Sequence, residues 1–76
     1  MLAKENKSTE QPNRLIRIRD VLDLTGLSRS YIYALAEDGR FPQSVSLVRG
    51  GTSRAWVAAE VQEWINNRIA ERDREA

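Results

Sequence analysis

The sequence contains no cysteine and no histidine, and these two absences remove several kinds of chemistry. Without cysteine there is neither a disulfide framework nor a thiolate metal site to reinforce a small core. Without histidine the chain lacks the commonest general acid or base and the commonest metal ligand. A chain of 76 residues also has little room for a pocket around catalytic carboxylates. We therefore expect no enzyme, no metal site and no cofactor.

Long apolar runs are missing as well. No stretch approaches the roughly 20 apolar residues that span a bilayer, and residues 1–8 lack the apolar stretch of a signal peptide. These features predict a cytoplasmic protein with no membrane partner. Residues 1–13 are polar and show no apolar period, so we expect a disordered lead there. One domain should follow at residues 14–70, and then a charged tail at residues 71–76 that frays.

The net charge of +1 conceals an uneven distribution of charge along the chain. Residues 14–57 hold seven arginines and four acidic residues, a net charge of +3. Residues 58–76 hold three arginines and five acidic residues, a net charge of −2. A basic body with an acidic end is typical of a protein that binds nucleic acid through one face. A chance distribution of charge is the alternative that this pattern alone leaves open.

Two short helices separated by a tight turn are predicted in the first half of the domain. Residues 14–18 favour a brief strand or an extended entry segment. A helix then runs from Arg19 to Thr25, with Asp20 in the first turn, where the helix dipole favours a negative charge. Gly26 suits the left-handed conformation that ends such a helix. We expect the buried side of this helix to be formed by Val21, Leu22 and Leu24.

Ser28 is a suitable N-cap for a second helix, which should extend from Arg29 to about Asp38. Gly39 provides a second helix-ending glycine. Apolar spacing centres the inner face on Ile32, with Leu35 and Ala36 beside it. The outward positions are Ser30, Tyr33, Ala34 and Glu37. This order of helix, short turn and helix is a helix-turn-helix, in which the second helix enters a DNA groove.

The second half of the domain changes character. Aliphatic segments around Val45 and Val57 flank Gly50 and Gly51, a pair that permits the positive φ values of a tight hairpin turn. A third helix should begin near Ala58. Its apolar stripe consists of Val61, Trp64, Ile65 and Ile69, interrupted by Arg68. The predicted fold class is therefore mainly α with a small β hairpin, a winged helix-turn-helix.

Several outward residues of the second helix are candidates for DNA contact. Arg29 has the geometry for a guanine edge or a phosphate, and phosphate contact is the better interpretation because Arg29 lies on the flank of the helix. Tyr33 suits either DNA contact or packing against the wing or Phe41, and both stay open. Tyr31 is expected at the edge of the core. The predicted recognition-helix contacts are Ser28, Arg29, Ser30, Tyr33 and Ala34.

The hairpin supplies the second set of candidates. A glycine tip flanked by arginines favours a minor groove, where arginine meets the stronger negative potential; solvated arginines are the alternative. Arg40 either contacts a phosphate or complements the end of the second helix. Trp56 and Trp64 are expected in the core. The predicted contacts of the wing and its flanks are Arg40, Arg49, Gly50, Gly51, Thr52, Ser53 and Arg54.

The chain resembles the AlpA family of prophage and mobile-element regulators, whose relatives include phage excisionases. The matching stretches are residues 17–22, 24–33, 39–42 and 56–65. The resemblance implies a winged helix of the excisionase or MerR-like type. Two features depart from the family pattern: Ala34 stands where a basic residue is common, and the wing at residues 49–54 is longer and richer in glycine.

The resemblance implies sequence-specific binding to double-stranded DNA, at promoters or attachment-site repeats of a prophage or integrative element. The function would be transcriptional regulation, excision as a recombination directionality factor with an integrase, or both. One reading helix binds a single site modestly, so we also expect self-association or cooperative loading. In the cell the protein would be cytoplasmic and associated with the nucleoid. The alternative function is a protein-interaction adaptor that uses the third helix and the hairpin.

Overall fold

The computed structural model describes residues 13–75. Helix α1 spans Ile18–Thr25, α2 spans Arg29–Glu37 and α3 spans Ala58–Glu75. Short strands lie between and before them: β1 at Leu15–Ile16, β2 at Val45–Ser46 and β3 at Arg54–Val57. This order confirms the winged helix-turn-helix. The disordered lead predicted for residues 1–13 lies, except for Asn13, outside the described residues.

Local sequence signals set the turn between α1 and α2. Gly26 takes a φ of 74°, and its backbone N–H donates to the Leu22 carbonyl over 2.7 Å, which closes α1. The Thr25 hydroxyl donates to the Val21 carbonyl over 2.8 Å and accepts from the Leu27 N–H over 3.2 Å. Only residues 26–28 separate the helices. The turn is thus fixed by a glycine and a threonine, and Leu27 within it packs against the core.

The three strands form an antiparallel sheet in the order β1-β3-β2. In its register Ile16 lies opposite Trp56, and Val45 lies opposite Ala55. The backbone N–H of Ala58 donates to the Arg14 carbonyl over 2.7 Å, so the start of α3 is tied to the entry strand. The predicted hairpin is therefore β2 and β3, and the predicted entry strand β1 completes the sheet.

One small apolar core joins the sheet to all three helices. Ile32 at the centre of α2 is fully buried, as its position on the helix predicts, and Trp56 is 1% exposed. Partly buried apolar side chains, including Leu35, Ala36 and Trp64, pack around this centre. The buried cluster consists of Ile16, Val21, Ile32, Phe41, Trp56 and Val61.

Two expectations about the core are wrong. Leu24 is 49% exposed, because the buried side of α1 runs through Ile18, Val21 and Leu22 and Leu24 points away from it. Tyr31 is 54% exposed rather than at the core edge. It precedes Ile32 by one residue and is therefore rotated about 100° around α2 from the buried side.

Helix α3 continues through Glu75, whereas the sequence set residues 71–76 apart as a charged tail. The side chain of Glu71 explains the continuation. It accepts from Arg68 over 2.9 Å and lies 3.4 Å from the Arg74 guanidinium, and both partners are three residues away along the helix. Such pairs support helix beyond the core. Fraying of this last segment stays a prediction.

Substituting Ile32→Ala should lower the free energy of unfolding by about 2–5 kcal/mol, because it leaves a cavity in the middle of the core. Leu24→Ala is the matched control on an exposed side chain and should cost well under about 1.5 kcal/mol. Urea unfolding followed by circular dichroism measures both. Equal losses in the two variants would contradict the assigned core.

Candidate nucleic-acid interface

The first turn of α2 presents free backbone donors. The Ser28 hydroxyl accepts from the Tyr31 N–H over 3.2 Å, and the Ser28 carbonyl accepts from the Ile32 N–H over 3.0 Å. Ser28 is therefore the N-cap, as predicted. The N–H groups at the start of a helix that have no intrahelical acceptor are suited to a phosphate, and the helix dipole adds to that attraction.

The exposed side of α2 is small and polar near its start and acidic near its end. Ser30 and Ala34 are exposed, and Arg29 adds a cation at the first helical position. Glu37 and Asp38 place two carboxylates at the other end. A polyanion would therefore approach the N-terminal half of α2 and avoid its C-terminal end.

For Tyr33 the sequence left two interpretations open, contact with DNA and packing against the wing or Phe41. Its ring lies 6.0 Å from the ring of Trp56, with the two planes tilted by 54°. Because Trp56 belongs to β3, this contact packs the recognition helix against the wing strand. The side chain is still partly exposed. The packing therefore fixes the ring and leaves part of it on the surface.

The wing ends in a β-turn at residues 48–51. The Gly51 N–H donates to the Val48 carbonyl over 2.8 Å, and Gly50 takes a φ of 77°. Arg49 does not have a positive φ and Gly50 does, so the turn has the geometry of type II. Among residues 13–75, the Arg49 side chain makes neither a hydrogen bond nor an ion pair. Thr52 and Ser53 follow the tip and are exposed.

Arg54 contributes to the internal structure of the wing. Its Nε donates to the Ser44 hydroxyl over 2.9 Å, and its Nη2 donates to the Ser44 carbonyl over 3.2 Å. Its own carbonyl accepts from the Arg17 Nε over 2.9 Å. Arg54 thus joins β3 to Ser44 just before β2 and, through Arg17, to the start of α1, a role that the sequence did not suggest.

Arg40 lies apart from the other candidate arginines. Its guanidinium pairs with Asp38 over 2.8 Å, and its carbonyl accepts from the Trp64 indole over 2.7 Å. It lines a groove between α2 and α3 together with Tyr31 and Trp64. The Trp64 ring also packs edge-on against Phe41, with centroids 4.9 Å apart. Arg40 therefore belongs to the α3 side of the molecule.

The structure adds two arginines that sequence reasoning missed. Arg17, Arg19 and Arg29 line one depression with a volume of about 390 Å³, together with Ile18 and Asp20. The Asp20 carboxylate accepts from the Arg17 backbone N–H over 3.4 Å. The alternation of arginines at positions 17 and 19, around the start of a predicted helix, is a signal in the sequence that could have indicated them. The sequence does not show that Arg17 and Arg19 share a surface with Arg29, because only the fold brings Arg29 close to them.

These contacts define a continuous surface, which we call the basic strip. It begins at Arg29, passes through the depression it shares with Arg17 and Arg19, and continues along the Arg17–Arg54 hydrogen bond to the wing. Arg49 lies at the wing tip. The strip thus connects the start of the recognition helix with the hairpin.

Within residues 13–75, no helix is both long and apolar enough to cross a membrane.

The helix-turn-helix, the sheet and the exposed hairpin define a small winged helix-turn-helix protein. Comparison with known proteins gives the family. The sequence model of the family described as prophage CP4-57 regulatory protein (AlpA) matches residues 14–69. The chain therefore belongs to the AlpA family of regulatory proteins.

A relative with a similar sequence occurs in Enterobacteria phage P4, where it is named uncharacterized protein ORF88. It is 49% identical to the chain over 61 residues, which cover 80% of this chain and 67% of that protein. No solved structure matches the chain. The sequence resemblance to the AlpA family is thus confirmed.

Substituting Arg54→Lys should loosen the hairpin while keeping its charge, because lysine has no guanidinium fork to bridge the Ser44 hydroxyl and carbonyl. The Leu47 N–H, which donates to the Ser53 carbonyl over 3.0 Å, reports on this. Its hydrogen exchange should accelerate about fivefold, corresponding to about 1 kcal/mol. Arg49→Lys is the matched control and should leave the rate unchanged. Equal rates in the two variants would contradict the bracing role.

Proposed function

We propose that the protein is a regulator that binds specific sites on double-stranded DNA. The observation that carries the proposal is the basic strip, which connects the start of the recognition helix with the wing. Duplex DNA attracts such a surface because each neutralised phosphate releases counterions. The strip runs from the start of α2 past the start of α1 to the wing, and such an extended surface suits a duplex.

The N-terminal half of α2 would enter the major groove. Ser30 and Ala34 would face base edges, with the methyl of Ala34 suited to a thymine methyl and the hydroxyl of Ser30 to either base type. The free N–H groups after the Ser28 cap would bind a phosphate, and Arg29 beside them would clamp the backbone. The acidic residues at the far end of α2 would stay outside the groove. Tyr33 would pack against Trp56 of the wing strand and present its exposed part to the DNA backbone.

The wing would supply a second contact in the minor groove. Arg49 is suited to the negative potential there, since no described residue occupies its guanidinium. Gly50 and Gly51 allow the backbone of the tip to come close to the sugars. Thr52 and Ser53 have hydroxyls that suit phosphate oxygens. Arg54 would position this tip rather than contact DNA itself, and Arg40 would not take part.

Arg17 and Arg19 would complete the grip on the backbone. They lie at the start of α1, where the helix dipole favours an anion, and they share a depression with Arg29. One phosphate between the two helix starts would offset part of the positive charge of this cluster. These contacts carry no sequence information, but they would fix the register of α2 on the duplex.

The biological role that suits this surface is control of a prophage or integrative element. Binding at promoters would regulate transcription. Binding at attachment-site repeats would favour excision with an integrase, as a recombination directionality factor does. Both roles need the same step, binding to a specific site on duplex DNA, which would take place in the cytoplasm on the nucleoid. Because one helix and one wing read a short site, we propose that copies load as pairs on repeated sites.

A protein-interaction adaptor is the second candidate function. The outer face of the sheet favours it, because the exposed side chains of Leu15 and Val45, with Leu47 just beyond β2, form an apolar surface where strands would ordinarily be polar outside. Val48 at the wing extends this surface and is 61% exposed. An adaptor would bind a protein in the absence of DNA.

DNA capture in the cell, followed by sequencing, separates these functions. A regulator should enrich a small number of sites, and their location at promoters or at integration ends would distinguish transcriptional regulation from excision.

Gel shifts would then compare the affinity for those sites with the affinity for random duplex of the same length. The two affinities should differ by at least about a thousandfold. Uniform enrichment across the genome, or binding that is equal on random duplex, would contradict specific recognition.

Substituting Arg29→Ala should weaken binding to such a site and reduce the slope of log affinity against log salt by about 1, because one phosphate contact is lost. Arg72→Ala removes an arginine that pairs with Asp73 on α3, far along the chain from the strip, and should leave the slope unchanged. Fluorescence anisotropy over a salt series measures both. An unchanged slope for Arg29→Ala would remove it from the interface.

A further inference from the structure

One largely exposed face of α3 carries opposite charges at its two ends. Residues spaced three or four apart share a side of a helix, and on α3 this spacing continues over two seven-residue repeats, from Glu60 to Arg74. Glu60 and Glu63 lie at the N-terminal end and Arg74 at the C-terminal end, with Asn67 midway. We call this the α3 open face; its members are Glu60, Glu63, Trp64, Asn67, Ala70, Glu71 and Arg74.

The open face is concave because two depressions adjoin on it. Trp64 and Asn67 line both, and Arg40 forms part of the opposite wall in each. The first depression contains Glu60 and Glu63. The second is the groove between α2 and α3, with a volume of about 910 Å³ and Tyr31 on its far wall. A helix is the shape that would fit along both.

Cations outnumber carboxylates in the second depression. The single carboxylate of Glu71 serves two guanidiniums, since it accepts from Arg68 over 2.9 Å and lies 3.4 Å from Arg74. Arg74 has the longer of these two contacts, and its side chain is 71% exposed. It can therefore take a second carboxylate. The first depression has the reverse imbalance, with two exposed glutamates.

We propose that the α3 open face binds the same face of a second copy of this chain, with the two helices antiparallel and a two-fold axis near Asn67. That arrangement sets Glu60 opposite the partner's Arg74, and the symmetry repeats the pair at the other end. It also sets Trp64 opposite the partner's Ala70, a large side chain against a small one. Glu63 comes opposite the partner's Glu71, whose charge two arginines already neutralise.

The order of charges along α3 favours a second copy of this chain in the antiparallel orientation. In a parallel pair, Glu60 would face the partner's Glu60 and Arg74 the partner's Arg74, so both ends would repel. Duplex DNA would meet the glutamates of the first depression and the carboxylates at the end of α2. A copy of the same chain placed antiparallel matches both ends at once.

Pairing through this face leaves the basic strip open. Tyr31 and Tyr33 are two residues apart on α2, so they point to nearly opposite sides of the helix. Tyr31 lines the groove, whereas Tyr33 packs against the wing strand. The inference deepens the proposed function, because it names the surface through which copies would pair on repeated sites. It does not depend on DNA for its test.

The test uses two charge reversals in the full chain, Glu60→Lys and Arg74→Glu, followed by analytical ultracentrifugation without DNA. Each variant alone turns two attractive contacts into two repulsive ones, so its dimer dissociation constant should rise at least about tenfold over that of the unaltered chain. Mixed in equal amounts, the variants restore two attractive contacts, one with its signs exchanged and one with the original pair of Glu60 and Arg74. The mixture should therefore dimerise within about threefold of the unaltered chain.

Two reversals on another side of α3, Arg72→Glu and Asp73→Lys, are the matched controls and should leave dimerisation unchanged. Circular dichroism checks that every variant keeps its helices. An unaltered chain that stays monomeric at about 0.5 mM would overturn the proposal. Single variants that dimerise normally, or a mixture that does not recover, would overturn it equally.

Gel shifts on a single short site separate this result from the proposed function. Glu60→Lys and Arg74→Glu should bind one half-site as the unaltered chain does, because neither residue lies on the basic strip. Only binding to paired sites should lose cooperativity. A chain that pairs as proposed but binds no DNA would contradict the proposed function alone.

Discussion

The position of the wing depends on the burial of one side chain, Trp56. Its ring is almost completely enclosed, lies opposite Ile16 across the sheet and packs against Tyr33 of the recognition helix. The indole N–H has no hydrogen-bond partner among the described residues, a cost of about 1–3 kcal/mol. The apolar area of so large a ring offsets that cost. The same contact that completes a small core therefore also sets the hairpin against α2.

Features determined by a few neighbouring residues could be predicted from the sequence. Gly26 and Ser28 mark the end of α1 and the start of α2 because a left-handed residue and a capping hydroxyl act over four residues or fewer. The buried side of α2 follows from its helical period around Ile32. Leu24 and Tyr31 were misplaced because both lie next to the buried side, where the neighbouring element decides whether a side chain is covered.

The candidate site could be predicted only in part, because its connections are long-range. The hydrogen bond from Arg17 to the Arg54 carbonyl joins residues 37 apart in the chain, and no local pattern indicates it. It gives Arg54 a bracing role and brings Arg17 into the basic strip. The sequence had identified the arginines near the turn and the wing as a set. The fold divides that set, since Arg40 pairs with Asp38 on the other side of α2.

This division explains how a chain with a net charge of +1 can present a surface for a polyanion. Helix α2 separates the two signs: its first turn joins the basic strip, while its last turn carries Glu37 and Asp38 beside the groove that leads to α3. A ligand rich in phosphate and a ligand with mixed charge are therefore drawn to different sides of one helix. Because Tyr31 lines the groove and Tyr33 packs against the wing strand, a ligand on one side of α2 would leave the other side available. Segregated charge rather than total charge would let a domain this small bind DNA and a second copy of itself together, as proposed.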